Sequence, residues 1–143
     1  MSVQVASVKD GDTIAVTSSG KLLKIRFACI DAPEEEQNPW GTTSTSRLKT
    51  LLPKGQTINL RVVDTDRYGR TVAEVFKAGK SINLQMVAEG QAVVYPQYIN
   101  GCAGTKNQYL QSESQAKQQR LGFWNQVKPV MPWNVRKAGV AIR

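Results

Sequence analysis

Leu22-Leu23-Lys24-Ile25-Arg26-Phe27-Ala28-Cys29-Ile30-Asp31-Ala32-Pro33-Glu34 is the stretch from which the fold can be read. Side chains alternate across a β-strand, so Lys24 and Arg26 share one face while Ile25, Phe27 and Cys29 share the other. That pattern describes a strand from Leu22 to Ile30 with one face on a core, ended by Pro33, which cannot donate to a ladder. Upstream, Val3-Gln4-Val5-Ala6-Ser7-Val8 alternates in the same way, Lys9-Asp10-Gly11-Asp12 supplies a turn, and Thr13-Ile14-Ala15-Val16 resumes the β pattern. Ser18-Ser19-Gly20-Lys21 then turns the chain into the quoted strand. Downstream, Asn38-Pro39 leads into Trp40 to Leu52, where Leu48, Leu51 and Leu52 mark a short amphipathic helix stopped by Pro53 and Gly55. Thr57 to Val63 alternates again, and Thr71 to Phe76 is its hairpin partner across the Tyr68-Gly69 turn.

Ser81 is placed to cap a helix over Ile82 to Glu89, with Gly90 where a C-terminal glycine belongs. Gln91 to Tyr95 reads as a short closing strand, Asn100 to Asn107 as a loop, and Tyr109 to Arg120 as a helix stopped near Gly122. About five short strands with about three helices between and after them predict a mainly β, α+β protein. Its architecture would be a small, partly open five-stranded barrel of the oligonucleotide-binding (OB) type. The domain is expected to span residues 1–125. Residues 126–143 mix Pro, Lys and Arg without a period and are expected to form a tail that is disordered in part. Trp40, Trp124 and Trp133 are expected to pack, Tyr98 to lie in a loop and Tyr109 on a helix surface.

At 143 residues and 41% apolar, the chain is long enough to bury one core without metal or disulfide staples. Nineteen Lys and Arg against eleven Asp and Glu leave a formal charge of +8, which favours polyanionic partners. No apolar run approaches the roughly 20 residues of a membrane span, so no membrane partner is expected. The chain has no histidine, which excludes imidazole bases and imidazole zinc sites and leaves proton chemistry to carboxylates. Two cysteines, Cys29 and Cys102, are too few for a thiolate zinc site; they are either unpaired buried thiols or a disulfide joining a strand to a later loop.

Asp12, Arg26, Asp31 and Glu34 fall close together, and Asp66-Arg67-Tyr68-Gly69-Arg70 adds a further arginine pair. Carboxylates to hold a hard cation, one more to activate water, and guanidiniums to grip phosphate make up the inventory for metal-assisted phosphodiester cleavage.

Asp10-Gly11-Asp12-Thr13, Arg26 with Ile30-Asp31-Ala32-Pro33-Glu34, Asp66-Arg67-Tyr68-Gly69-Arg70, and Ser112-Glu113 with Gln115-Ala116-Lys117 and Trp124 together resemble the staphylococcal nuclease (thermonuclease) family. The resemblance runs from Val5 to Trp124, with the blocks in family order. It implies an OB-type five-stranded barrel with three helices and Ca²⁺-dependent hydrolysis of DNA and RNA that leaves 3′-phosphate and 5′-hydroxyl ends. Carried over, it makes Asp12 and Asp31 the Ca²⁺ carboxylates, the Ala32 carbonyl a further ligand, Glu34 the general base, and Arg26 and Arg70 the phosphate-binding arginines. Tyr68 and Tyr95 match tyrosines lining the nucleotide pocket, and Arg67 stands where the staphylococcal enzyme has lysine. Glu35, Glu36, Gln37 and Asn38 replace a lysine-rich loop of that enzyme, while Gln37 and Gly41 satisfy a Gln-x-x-x-Gly pattern of other branches.

A monomer without an obligate protein partner is expected. So is a secreted, periplasmic or cell-surface location, with the leader trimmed before Met1-Ser2. The contrasting reading is a catalytically inactive domain of the same fold that binds nucleic acid or protein.

Overall fold

The computed structural model describes residues 1–142, with side chains described through Gly139. Five long strands form the barrel: β1 (Ser2–Asp10), β2 (Thr13–Ser18), β3 (Lys21–Phe27), β5 (Thr57–Thr65) and β6 (Thr71–Lys77). They pair antiparallel in the order β3-β2-β1-β5-β6, and a parallel seam between β3 and β6 closes the sheet on itself. This is the expected five-stranded barrel, closed rather than partly open, with four α-helices among the described residues rather than three. Closure leaves none of the five as an unpaired edge. The alternating apolar residues point inward: Val3, Val5, Ile14, Val16, Ile25, Phe27, Ile58, Leu60 and Val75 are all buried.

The quoted strand does not run to Ile30. It stops at Phe27 because the chain turns a corner at Cys29, which takes a left-handed φ of 71°, and restarts as the short β4 (Ile30–Asp31). β4 pairs with β8 (Val93–Val94), inside the segment read as a closing strand. The wholly buried Asn83 pins the corner from behind, donating to the Ala28 carbonyl at 2.9 Å while its own carbonyl accepts from Val75 N–H at 2.9 Å. A disulfide joins Cys29 to Cys102, with Cα atoms 6.4 Å apart, so of the two cysteine readings the bonded one holds. β7 (Lys80–Ser81) extends the sheet beside β6.

Helix α1 (Trp40–Leu51) covers one end of the barrel through Leu48. Helix α2 (Ile82–Ala88) starts where Ser81 Oγ accepts from Leu84 N–H at 3.1 Å. The stretch read as a loop before the third helix is wound into 3-10 turns over Ile99–Thr105, and α3 (Lys106–Gln118) begins earlier than its composition suggests. Tyr109 is not on the helix surface. It is fully buried and donates to Glu74, a carboxylate 3% exposed that also pairs with Arg61. A phenol reaching a buried acid satisfies both groups, a need that helical spacing alone does not reveal. The segment from Gln126 on carries a fourth helix, α4 (Pro132–Ile142), where partial disorder was expected; Arg143 lies outside the described residues. Pro132 suits the first helical position because its missing N–H would have no partner there. Among the described residues no helix is long and apolar enough to cross a membrane.

Candidate active site

The β1–β2 turn and the β3–β4 corner meet at one rim of the barrel, and their carboxylates meet with them. Asp12 stands at the start of β2. Its Oδ2 accepts from Ala32 N–H at 2.7 Å and its Oδ1 from the Thr13 hydroxyl at 3.1 Å. Gly11 makes the approach possible, since a Cβ there would lie 2.0 Å from Ser44 Oγ. Arg26, last but one in β3, bridges the two aspartates, with Nη1 3.2 Å from Asp12 Oδ2 and Nη2 3.3 Å from Asp31 Oδ1. It also donates to the Phe27 and Ile30 carbonyls, which fixes the guanidinium plane. Asp31 is wholly buried and Ala32 3% exposed.

Glu34 follows on a loop held in two ways. Gln37 Oε1 accepts from Glu34 N–H at 2.9 Å, and Gly41 N–H donates to the Gln37 carbonyl at 2.9 Å. Gly41 brings the first turn of α1 so close that a Cβ would lie 2.2 Å from the Glu34 carbonyl oxygen. The Gln-x-x-x-Gly spacing thus has a physical reason: the glutamine caps the loop and the glycine lets the helix press on it.

The electrostatics follow from this crowding. Burial pushes the Asp12 carboxyl up, but Arg26 and the hydrogen bonds it receives outweigh this and hold it below the usual range. Asp31 is pushed up to about 6, chiefly by burial and further by the charge of Asp12, against the pull of Arg136 and Arg26. Asp10 rises to about 7 through burial and its neighbour Asp12. Burial also raises Glu34, opposed by Arg136. Buried like charges in one place are what a site for a multivalent cation requires. Among the described residues no three His, Cys, Asp or Glu side chains converge as a ready cage; the expected ligand set of two aspartates and a carbonyl is smaller than that.

The β5–β6 turn carries the other arginines. Arg70 is held by Asp66, Nε to Oδ2 at 2.7 Å, and lies over the Tyr68 ring. Among the described residues it shares no ion pair with Asp12, Asp31 or Glu34. The structure therefore joins Arg26 to the carboxylates and sets Arg70 on a separate hairpin. Arg67 donates to the Tyr68 hydroxyl at 2.8 Å, and Tyr68 is 68% exposed. Tyr95 follows β8, which α3 steadies through Glu113, whose Oε2 accepts from Val94 N–H at 2.6 Å. Arg67, Tyr68 and Tyr95 line a cleft of about 350 Å³ together with Trp133, Arg136 and Lys137.

Of those last three, Arg136 and Lys137 have no role in the sequence reading, and Trp133 is expected there only to pack. Arg136 reaches Asp31, Glu34 and the Tyr95 hydroxyl, and Trp133 stacks on Tyr95. The available signal was the i, i+3, i+4 spacing of Trp133, Arg136 and Lys137 after Pro132, which puts an aromatic and two cations on one helical face. Trp40 and Trp124 both pack edge-on against Phe123, as expected of packing residues.

Comparison with known proteins identifies the family of the chain. Residues 24–126 match the family described as staphylococcal nuclease homologue. An uncharacterized endonuclease of Escherichia coli is 39% identical over 131 residues, covering 91% of this chain and 81% of that protein. A micrococcal nuclease of Shigella flexneri is 35% identical, covering 94% and 80%. An uncharacterized endonuclease of Haemophilus influenzae is also 35% identical, covering 94% and 72%. With a match over most of its length and relatives this similar, the chain belongs to the staphylococcal nuclease homologue family.

Proposed function

We propose that this chain is a Ca²⁺-dependent endonuclease that hydrolyses phosphodiester bonds of DNA and RNA with little sequence specificity, leaving 3′-phosphate and 5′-hydroxyl ends. The observation that carries the reading is the rim cluster: Arg26 bridges two buried aspartates beside Glu34, next to a cleft lined by arginines and tyrosines. A polyanion is drawn to the cleft by the +8 chain, and the cluster stands where a phosphate held there would be cut.

The donors fit a hard cation. Asp12, Asp31 and the Ala32 carbonyl offer only oxygen, the chain has no histidine and both cysteines are bonded to each other, so a soft or borderline metal finds no favoured ligand. When bound, Ca²⁺ would polarise a phosphate oxygen and acidify water. Glu34 takes the proton of the attacking water on a side-chain oxygen, a role its raised affinity for protons favours. Arg26 and Arg70 grip the phosphate from the seam and from the hairpin, with planar forks that match the charge growing on the equatorial oxygens. Tyr68, Tyr95 and Arg67 hold the adjoining nucleotide by stacking and charge. The protein acts as a monomer. The Cys29–Cys102 bond supports an oxidising location, secreted, periplasmic or at the cell surface.

The test is cleavage of single-stranded DNA, duplex DNA and RNA with Ca²⁺, with Mg²⁺ and with chelator, alongside Glu34→Gln and Arg70→Ala. Calcium-dependent cutting that leaves 3′-phosphates and collapses in both variants upholds the reading. Binding of nucleic acid without cutting under any metal replaces it with the inactive binding domain.

A further inference from the structure

Helix α4 lies across the candidate carboxylates. Arg136 takes both oxygens of Asp31, Nη1 to Oδ1 at 2.8 Å and Nη2 to Oδ2 at 2.7 Å, and Nη1 also reaches Glu34 Oε1 at 3.0 Å. One turn earlier, Trp133 lies on the Tyr95 ring with centroids 5.2 Å apart and planes 11° from parallel. Before the helix, Gln37 Nε2 donates to the Val130 carbonyl at 2.7 Å, so the residue that caps the Glu34 loop also holds the incoming tail. A guanidinium is a cation and an indole is a flat π-surface. α4 thus offers the site positive charge on Asp31 and Glu34 and an aromatic plane on Tyr95, the two chemistries that a cation and a nucleobase would bring.

We propose that α4 is a ligand in cis. Arg136 occupies the carboxylates that would hold the divalent cation, Trp133 occupies the tyrosine face that would take a base, and metal and nucleic acid bind only by displacing the helix. The inference rests on the reading of Asp31 as a metal carboxylate. A two-pronged bond uses both oxygens of Asp31, so direct ligation of a cation breaks at least one prong. The asymmetry of burial favours exchange from the helix side: the Arg136 side chain is 40% exposed and that of Asp31 0%. Because the binding-competent open form is only a fraction of the population, the apparent metal affinity is reduced by that fraction.

The experiment uses the full chain. Calcium is titrated calorimetrically into the parent, into Arg136→Gln, and into Lys128→Gln, which removes an equal charge from an exposed position before the helix. Trypsin digestion of the parent is followed in parallel with calcium and with chelator. The expected result is calcium binding about tenfold tighter in Arg136→Gln, a change within about twofold in Lys128→Gln because a distant exposed charge is screened, and faster cleavage after Arg136 and Lys137 when calcium is present. Equal or weaker calcium binding by Arg136→Gln overturns the displacement while the metal reading stands. Tighter binding without any calcium effect on tail cleavage also overturns it, since removing a nearby positive charge then explains the gain. No calcium binding by the parent or the variant overturns both the displacement and the metal assignment of Asp31.

Discussion

Gly41→Ala tests whether the catalytic reading depends on the backbone that holds Glu34. The added Cβ would lie 2.2 Å from the Glu34 carbonyl oxygen, 2.8 Å from its carbon and 3.0 Å from Glu35 Cα. All three are backbone atoms, so no side chain can swing aside. Restoring an ordinary contact requires a relative shift of about 1 Å between the first turn of α1 and the Glu34 loop, and overpacking of this kind costs about 1–3 kcal/mol. For a domain of this size that lowers Tm by about 4 °C per kcal/mol. The larger effect falls on turnover, because a displacement of about 1 Å in a catalytic group costs on the order of 100-fold. The assay is steady-state cleavage of single-stranded DNA with calcium, together with thermal unfolding in chelator. Gln37→Ala, which removes the cap from Glu34 N–H without crowding it, should lower activity by a smaller factor. A Gly41→Ala enzyme that unfolds earlier yet turns over within about threefold of the parent would refute the positioning argument.

Other outcomes follow from the same geometry. Arg26→Ala removes the only ion-pair partner that the buried Asp12 has among the described residues and one of the two arginines on Asp31 and should cost about 3 kcal/mol of stability, whereas Arg70→Ala loses only a partly exposed pair with Asp66 worth about 1 kcal/mol or less; unfolding curves separate the two even though both should lose about 100-fold in cleavage. In chelator, thermal stability should fall between pH 5 and pH 8. Asp10 and Asp31 titrate near 7 and 6 when folded, so the folded state binds more protons than the unfolded one in that window and loses stability, on the order of 2 kcal/mol, as pH rises. The lowered Asp12 acts oppositely, with its contribution lost only as pH falls below the ordinary carboxylate range. Reduction of the Cys29–Cys102 bond, which spans 73 residues of sequence, should cost about 2–4 kcal/mol, read as a drop in Tm with reductant.

The barrel was legible because its strands have one face on the core, so period-two alternation marks Val3 to Val8, Thr13 to Val16 and Thr57 to Val63 directly. The carboxylates and arginines were legible as residue types at close spacing. What spacing could not show is which groups a third element brings. Tyr109 looked like a helix-surface residue because its partner, Glu74, lies on a strand distant in sequence. α4 was hidden for a related reason. Asn134, Val135 and Gly139 weaken its intrinsic helical signal, and its docking depends on Trp133 and Arg136 meeting Tyr95 and Asp31 across the fold. The break at Cys29 was also invisible, because Phe27, Ala28, Cys29 and Ile30 are all buried and a corner leaves no polar mark.

The parallel seam sets the order in which competence can arise during folding. β1, β2 and β3 pair through short turns, and once formed they already place Asp12 beside Arg26. The seam registers Ile25 with Thr71, contacts far apart in the chain whose formation must first overcome the entropy of closing the intervening loop. Arg70, immediately before that register, is brought toward β3 only when this last step is made. A chain whose barrel is still open thus has Asp12 and Arg26 side by side but lacks the fixed separation between Arg26 and Arg70 on which the proposed two-arginine grip on phosphate depends.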